Sequence, residues 1–499
     1  MKNVLSILIF LPLAGSVLLG FMRGHDRLMR WSALGVTVAT FLVSVAVLLA
    51  FNPATHEMQF VERYPWAPSF NIEYAVGVDG ISILLVLLTT LLCPICVLAS
   101  WTAITSRAQE FMIAILVMEA AMIGTFVALD FVLFFVFWEA MLIPMYLIIG
   151  VWGGPNRIYS AIKFFLYTLA GSLLLLVAII VLYFAGGNTF DILTLMGRSY
   201  SATVQFWVFW AFFLAFAIKI PMIPFHTWLP DAHVEAPAAG SIILAGILLK
   251  MGGYGFLRFC LPMVPDASLA FSTIIMTLSV GAILYGAFMA LAQTDVKKLI
   301  AYSSVSHMGF VTLGIFVLNT RGVEGALLQM VNHGITTGAL FLAIGQFYDR
   351  SHSRLLEDFG GISKPMPMYG ALWVIFSFSS FGFPGTNSFI GEFLVLVGSF
   401  ERHWLLATAA TLGLILSAFY MLWVVRKALF GTVVKSLSGS LPDLNVRELV
   451  AAIPLAVLVF VIGLYPRPWL SVMHASVEHL LMQVGAATPL QFTEVWTRP

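Results

Sequence analysis

Apolar runs of about 20 residues, enough for a helix to cross the hydrocarbon of a bilayer, recur from one end of this chain to the other. Too few charges lie between them to build a water-facing surface. Of 499 residues 60% are hydrophobic and 10% charged, against roughly a quarter charged in a soluble domain. We place about fourteen spans, centred near Leu11, Phe41, Leu88, Ala120, Met141, Leu173, Ala215, Leu244, Val280, Thr312, Leu340, Ser380, Leu416 and Leu458. Neighbouring spans meet with almost no loop, as at Asp130, and no stretch beyond about thirty residues remains for a soluble domain. The expected fold is an all-α polytopic membrane protein, one membrane domain over residues 1–499 with lipid as its main solvent. The first run follows Lys2 like a signal peptide, but its kind recurs throughout, so it reads as an uncleaved first span.

A net charge of +1 gives no bulk attraction to nucleic acid or to an acidic substrate, so the placement of charges carries the information. With both termini outside, the inner loops collect Arg23, Arg27, Arg30, Arg107, Arg157, Lys163, Lys297, Lys298, Arg350, Arg354, Lys364, Arg426, Lys427, Lys435 and Arg447. That is about twice the outer set of Lys2, Arg63, Arg198, Arg258, Arg321, Arg402, Arg467 and Arg498, the bias expected of a cytoplasmic face. Cys93 and Cys96, in an apolar run, and Cys260 read as packing residues rather than a redox or metal site.

Two helices read as broken. Pro221 and Pro224 interrupt the chain after Lys219, and Gly382, Pro384 and Gly385 interrupt a later span at matching depth. About 160 residues separate Pro224 from Pro384, and a similar interval relates the helix of Glu119 to that of Ser279, which suggests two five-helix repeats. The division is an N-terminal three-helix part (1–105), a first repeat (106–265), a second repeat (266–430) and a C-terminal span and tail (431–499). Corresponding interruptions point to transport sites.

A charge at the bilayer centre costs at least about 2.5–3.5 kcal/mol, yet Glu119, Glu139, Lys219, Lys250 and Glu392 all fall within spans or at the breaks. Buried ion pairs that serve packing are one reading. Desolvation roughly cancels the attraction of such pairs, so a set this large favours transport. The chemistry it offers is proton transfer, because burial disfavours the charged form of glutamate and lysine alike and brings both toward exchange near neutral pH. At an effective dielectric of about 20, a contact at about 4 Å is worth about 4 kcal/mol. A glutamate moving toward or away from a lysine would therefore switch it between holding and releasing its proton. Glu139 and Lys219 are the expected pair, in contact or one water apart.

Histidines extend the set. His226 and His233 flank 227–232, and His307 and His333 lie in consecutive spans, where neutral imidazole can relay protons. Loop contacts for the first two, and satisfied core histidines for the others, are the competing readings; a bis-histidine haem would ordinarily need more histidines. Arg258 either ends the path at the outer face or snorkels to headgroups, and Lys297 with Lys298 reads as an inner anchor. The chain has no dinucleotide fingerprint, no Walker loop and no cysteine cluster for iron–sulfur centres. It is expected to hold no metal or cofactor, so energy must come from partners or an ion gradient.

The combination resembles the proton-translocating, antiporter-like subunits of respiratory complex I and their relatives in multisubunit cation/proton antiporters. The resemblance rests on Phe137-Trp138-Glu139, on Lys219-Ile220-Pro221 with Pro224-Phe225-His226-Thr227-Trp228-Leu229-Pro230-Asp231-Ala232-His233, and on Ala236-Pro237. Lys250-Met251-Gly252-Gly253-Tyr254-Gly255 and Ala301-Tyr302-Ser303-Ser304-Val305-Ser306-His307-Met308-Gly309 complete it. The proline- and histidine-bearing segment is the most specific. The resemblance implies two inverted five-helix half-channels, with Glu139 modulating Lys219, Lys250 as the central relay, His307 and His333 linking the halves, and Glu392 serving the second broken helix. Glutamate there, within Phe383-Pro384-Gly385-Thr386 to Gly391-Glu392-Phe393, is similar to the branch called M in bacteria and subunit 4 in mitochondria, whereas sister subunits usually carry lysine.

The implied function is proton translocation in an NADH:quinone oxidoreductase, a translocating enzyme whose flavin, iron–sulfur clusters and quinone sit on partner subunits. The implied partners are other complex I membrane subunits, especially two sister antiporter-like ones, in the bacterial inner membrane with both termini periplasmic. A sodium/proton antiporter subunit without redox activity is the alternative, and a structural scaffold a third reading.

Overall fold

The computed structural model describes residues 3–431 and 441–485; Lys2, Lys435 and Arg498, weighed above in the loop charges, and the tail beyond 485 lie outside them. Helices α1 (Val4–Gly20) and α2 (Asp26–Ala50) lead into an antiparallel hairpin of β1 (Gln59–Ala67) and β2 (Ile72–Val78), with Tyr64 opposite Tyr74. Then follow α3 (Ile83–Ser100), α4 (Ala108–Val127), α5 (Phe131–Trp152), α6 (Arg157–Ala185), α7 (Ala202–Lys219) and the short α8 (Trp228–Glu235). The rest comprises α9 (Ala238–Met263), α10 (Pro265–Leu291), α11 (Val296–Phe316), α12 (Thr320–Ser351), α13 (Pro367–Ser380), α14 (Asn387–Arg402), α15 (Trp404–Leu429), α16 (Val446–Leu464) and α17 (Arg467–Gly485).

Among the described residues twelve helices are long and apolar enough to span a bilayer. The expected fourteen also included α1, which is 17 residues long, and the segment near Ser380, which is the two shorter helices α13 and α14. Two elements were not anticipated. The hairpin is one, an exception to an all-helical chain; the other is α17, a 19-residue helix where a tail was expected.

Burial sorts the spans. The apolar windows of α9 and α12 are 100% enclosed and that of α11 94%, whereas those of α2 and α15 are only 28% and 33% enclosed. The first three are interior helices and the last two form a rim suited to lipid or to neighbouring chains. Interior helices can approach because glycines face one another: a Cβ on Gly334 of α12 would lie 2.9 Å from the carbonyl of Gly246 on α9. Helix starts are set locally. Asp130 accepts from the amides of Val132 and Leu133 at 2.8 and 3.1 Å, and Asp295 from those of Lys297 and Lys298 at the same distances.

Both breaks lie where the prolines and glycines indicated, between α7 and α8 and between α13 and α14. Backbone freed in a membrane must find partners inside the protein. At the first break the Trp228 indole donates to the carbonyl of Ile218 at 2.9 Å. At the second, Asn332 of α12 donates to the carbonyl of Asn387 at 2.7 Å, and Asn387 Oδ1 accepts from Ser379 at 2.6 Å.

Candidate functional site

Lys250 lies in the middle of α9 on an α-helical turn flanked by π-helical turns at Leu244–Leu248 and Phe256–Cys260. Such wide turns misalign backbone partners and are frequent at functional sites. Lys250 is fully buried, its Nζ donating to the carbonyl of Ala245 and lying 2.7 Å from Nδ1 of His333 on α12. The His333 and His307 ring centres are 5.8 Å apart, and His307 Nδ1 is 2.8 Å from Oε1 of Glu392 on α14. Gln329 of α12 donates to the same oxygen at 2.9 Å. Four residues marked out in the sequence, carried on four helices, thus form one buried row.

The row retains unfilled capacity. Nε2 of both histidines and Oε2 of Glu392 are buried without a protein hydrogen-bond partner. A polar atom left so in a dry interior costs several kcal/mol, on the order of a lost hydrogen bond or more, which favours intervening water. Direct contact with a carboxylate on one nitrogen and an unpartnered nitrogen on the other is an arrangement suited to passing a proton through the ring.

The other expected residues lie elsewhere. Lys219 ends α7 and is buried, and it makes no direct contact with Glu139: neither its Nζ nor Glu139 Oε1 has a protein hydrogen-bond partner. Its ammonium instead stands 4.9 Å from the ring centre of Trp138, whose face attracts a cation. Of the two expected arrangements, contact or one intervening water, direct contact is not made: the lysine rests on the indole, with Glu139, half-buried on α5, one residue further along.

Glu119 on α4 is wholly buried with neither oxygen partnered by a protein hydrogen bond, and it is not among the hydrogen-bonded residues of the row. His226 is buried in the first break with its ring edge-on to Tyr285 at 5.0 Å. Arg258 does not reach for headgroups: it is 6% exposed and pairs with Asp79, with Nε 3.3 Å from the Tyr254 hydroxyl. The snorkelling option is corrected accordingly. Sequence reasoning missed Asp79, Trp138 and Gln329; an acid just before an apolar run and an amide inside one were the available signals. Lys297, read as an anchor, is 7% exposed and sunk into the protein.

Residues 128–419 match the family model described as NADH:quinone oxidoreductase/Mrp antiporter, and residues 9–125 match that described as NADH-ubiquinone oxidoreductase chain 4, amino terminus. The chain is 49% identical to NADH-quinone oxidoreductase subunit M of Rhodobacter capsulatus, over 97% of this chain and 98% of that one. To NADH-ubiquinone oxidoreductase chain 4 of Chondrus crispus it is 47% identical, over 96% and 98%. Its fold is similar to that of a chain in the structure of respiratory complex I from Thermus thermophilus with bound NADH, with a TM-score of 0.89 and 31% identity over 97% of this chain and 100% of that chain.

Proposed function

Because the chain belongs to the NADH:quinone oxidoreductase subunit M and chain 4 family, we propose that it relays protons across the membrane through Lys250, His333, His307 and Glu392. It is a multi-pass membrane subunit of respiratory complex I, and other membrane subunits of that complex are its partners. The observation that carries the relay is the row itself, with separations of 2.7 Å, 5.8 Å between ring centres, and 2.8 Å. A proton on Lys250 passes to Nδ1 of His333, crosses to His307, and is taken up by the Glu392 carboxylate. Glu392 releases the proton to water on the outer side, and Lys250 is reprotonated from the inner side. Each imidazole, left in its other tautomer, resets by turning its ring or passing the proton back through water. Lys219 and Glu139, off this row, serve as the modulating pair that the family resemblance implies. Glu119, His226 and Arg258 line the surroundings as auxiliary groups.

The finer assignments are also part of the proposal. Partner subunits, two of them antiporter-like sisters, oxidise NADH and reduce quinone and hold the flavin and iron–sulfur clusters; this chain binds no cofactor or metal. The chain lies in a bacterial inner membrane with the hairpin face and both termini outside, which the loop charges support. The two five-helix repeats, 106–265 and 266–430, form the two half-channels. The antiporter alternative has less support, since the N-terminal match is to chain 4.

The test uses the assembled complex in inside-out vesicles. Lys250→Ala should abolish NADH-driven proton uptake and leave assembly intact; pumping at the wild-type rate would overturn the relay. Sodium-dependent transport without NADH oxidation would favour the antiporter reading.

A further inference from the structure

Gln329 lies on the interior helix α12 and is 1% exposed. It shares one face of that helix with Asn332, His333 and Thr336, which follow at spacings of three and four residues. Asn332 and Thr336 grip the second break: Asn332 donates to the carbonyl of Asn387 at 2.7 Å, and Thr336 Oγ1 lies 2.6 Å from Ser379 Oγ. Gln329 reaches the last carboxylate of the row instead, its Nε2 donating to Glu392 Oε1 at 2.9 Å. The amide faces that oxygen with its NH2 group, because an ionised carboxylate accepts and does not donate.

Two glycines make room for this contact. A Cβ on Gly391 would lie 2.5 Å from Gln329 Oε1 and 3.0 Å from its Cβ, so a side chain there would displace the amide. A Cβ on Gly382, which has φ +70° in the second break, would lie 2.9 Å from Glu392 Oε2. The carboxylate is thus held by Oε1, between His307 Nδ1 at 2.8 Å and the Gln329 amide, while Oε2, without a protein hydrogen-bond partner, faces the broken segment. Gln329 leaves its own Oε1 buried and without a protein partner. That is a costly choice for a residue kept for stability, since leucine would fill the site with no polar atom to satisfy.

We propose that Gln329 is a positioning residue of the relay, one that sets the direction in which Glu392 passes its proton on. The proposal rests on the relay proposed above. One proton moves from His307 Nδ1 to Glu392 Oε1. The carboxyl then turns about its Cγ–Cδ bond, which carries the new hydroxyl to the Gly382 side and returns the bare oxygen to the amide. A carbonyl oxygen accepts better than the hydroxyl oxygen of an acid, so the Gln329 N–H favours the turned state. The proton leaves from there to water at the break, and the carboxylate is restored.

The competing role for Gln329 is to fill space between α12 and α14, for which an unbranched apolar side chain of like length serves. In assembled complex in inside-out vesicles, Gln329→Met keeps that volume without the donor and should lower NADH-driven pumping roughly 10-fold or more, the factor that one hydrogen bond to a charged group contributes. Gln329→Glu restores a donor only while the introduced carboxyl carries a proton. It should therefore recover pumping at the acid end of the pH profile and lose it, as pH rises, earlier than the wild type does. Loss in both variants at every pH would assign Gln329 to packing and overturn the proposal. Should Gln329→Met pump at the wild-type rate while Lys250→Ala does not, the positioning role falls and the relay stands. If both pump normally, the relay falls with it. Where Gln329→Met fails to assemble, Gly391→Ala provides the second measurement, since its Cβ displaces the amide and leaves its chemistry intact. Pumping should fall by a similar factor, and an unchanged rate would overturn the proposal.

Discussion

Nδ1 of His307 stands 2.8 Å from Oε1 of Glu392, an oxygen that also accepts from Nε2 of Gln329 at 2.9 Å. With Nδ1 donating, Nε2 of His307 is free to take a proton, and the same carboxylate that orients the ring is the next acceptor. Orientation and acceptance therefore reside in one group, and substitutions at Glu392 separate them.

Glu392→Gln keeps the shape and one oxygen acceptor but cannot bind a transferable proton, so the complex should assemble with pumping lost. Glu392→Ala should behave alike. Glu392→Lys should retain part of the activity, since a tautomer change at His307 and an amide flip at Gln329 present acceptors to the ammonium. Acidification assays on the three variants decide the matter: a pumping alanine variant would remove Glu392 from the route.

Lys219 rests on the Trp138 indole, an arrangement worth about 1–2 kcal/mol when dry. Trp138→Leu should release the ammonium and lower coupled turnover by roughly 5- to 30-fold, with Trp138→Phe intermediate. Equal turnover in all three would show that the ring does not position the lysine.

Asp79 is the sole carboxylate paired with Arg258 among the described residues, and both are buried. Removing one partner strands the other charge, at a cost of about 3–5 kcal/mol. Asp79→Ala should lower the thermal stability of the purified complex, and Asp79→Ala combined with Arg258→Leu should restore much of it. An additive double variant would mean that the pair is not coupled.

His474 on α17 bonds to Glu324 at 2.6 Å and faces Glu478 at 3.2 Å. The hydrogen bond to Glu324 raises its pKa above the ordinary value of 6.5, against the smaller effect of burial. A raised pKa means that the contact's contribution is complete below about 6.5 and fades as pH rises through the folded-state value. Amide exchange within Arg467–Gly485 should accelerate as pH rises above about 6.5 beyond the intrinsic base-catalysed rise, and His474→Gln should remove the excess.

Much of the architecture was legible in the residues alone. Span positions follow from runs of apolar side chains and the two breaks from proline and glycine, because each is a property of one local segment facing lipid. That Lys250, His307, His333 and Glu392 are buried was legible for the same reason: no loop is near enough to carry them to water. Their alignment depended on packing between helices about eighty residues apart, where Gly246 and Gly334 let α9 and α12 close together. Which partner a buried charge meets is likewise a property of two segments at once. Lys219 on the Trp138 ring, Arg258 on Asp79 instead of headgroups, and Lys297 sunk into the protein instead of at the membrane surface were settled by helix rotation and depth, which hydropathy does not encode.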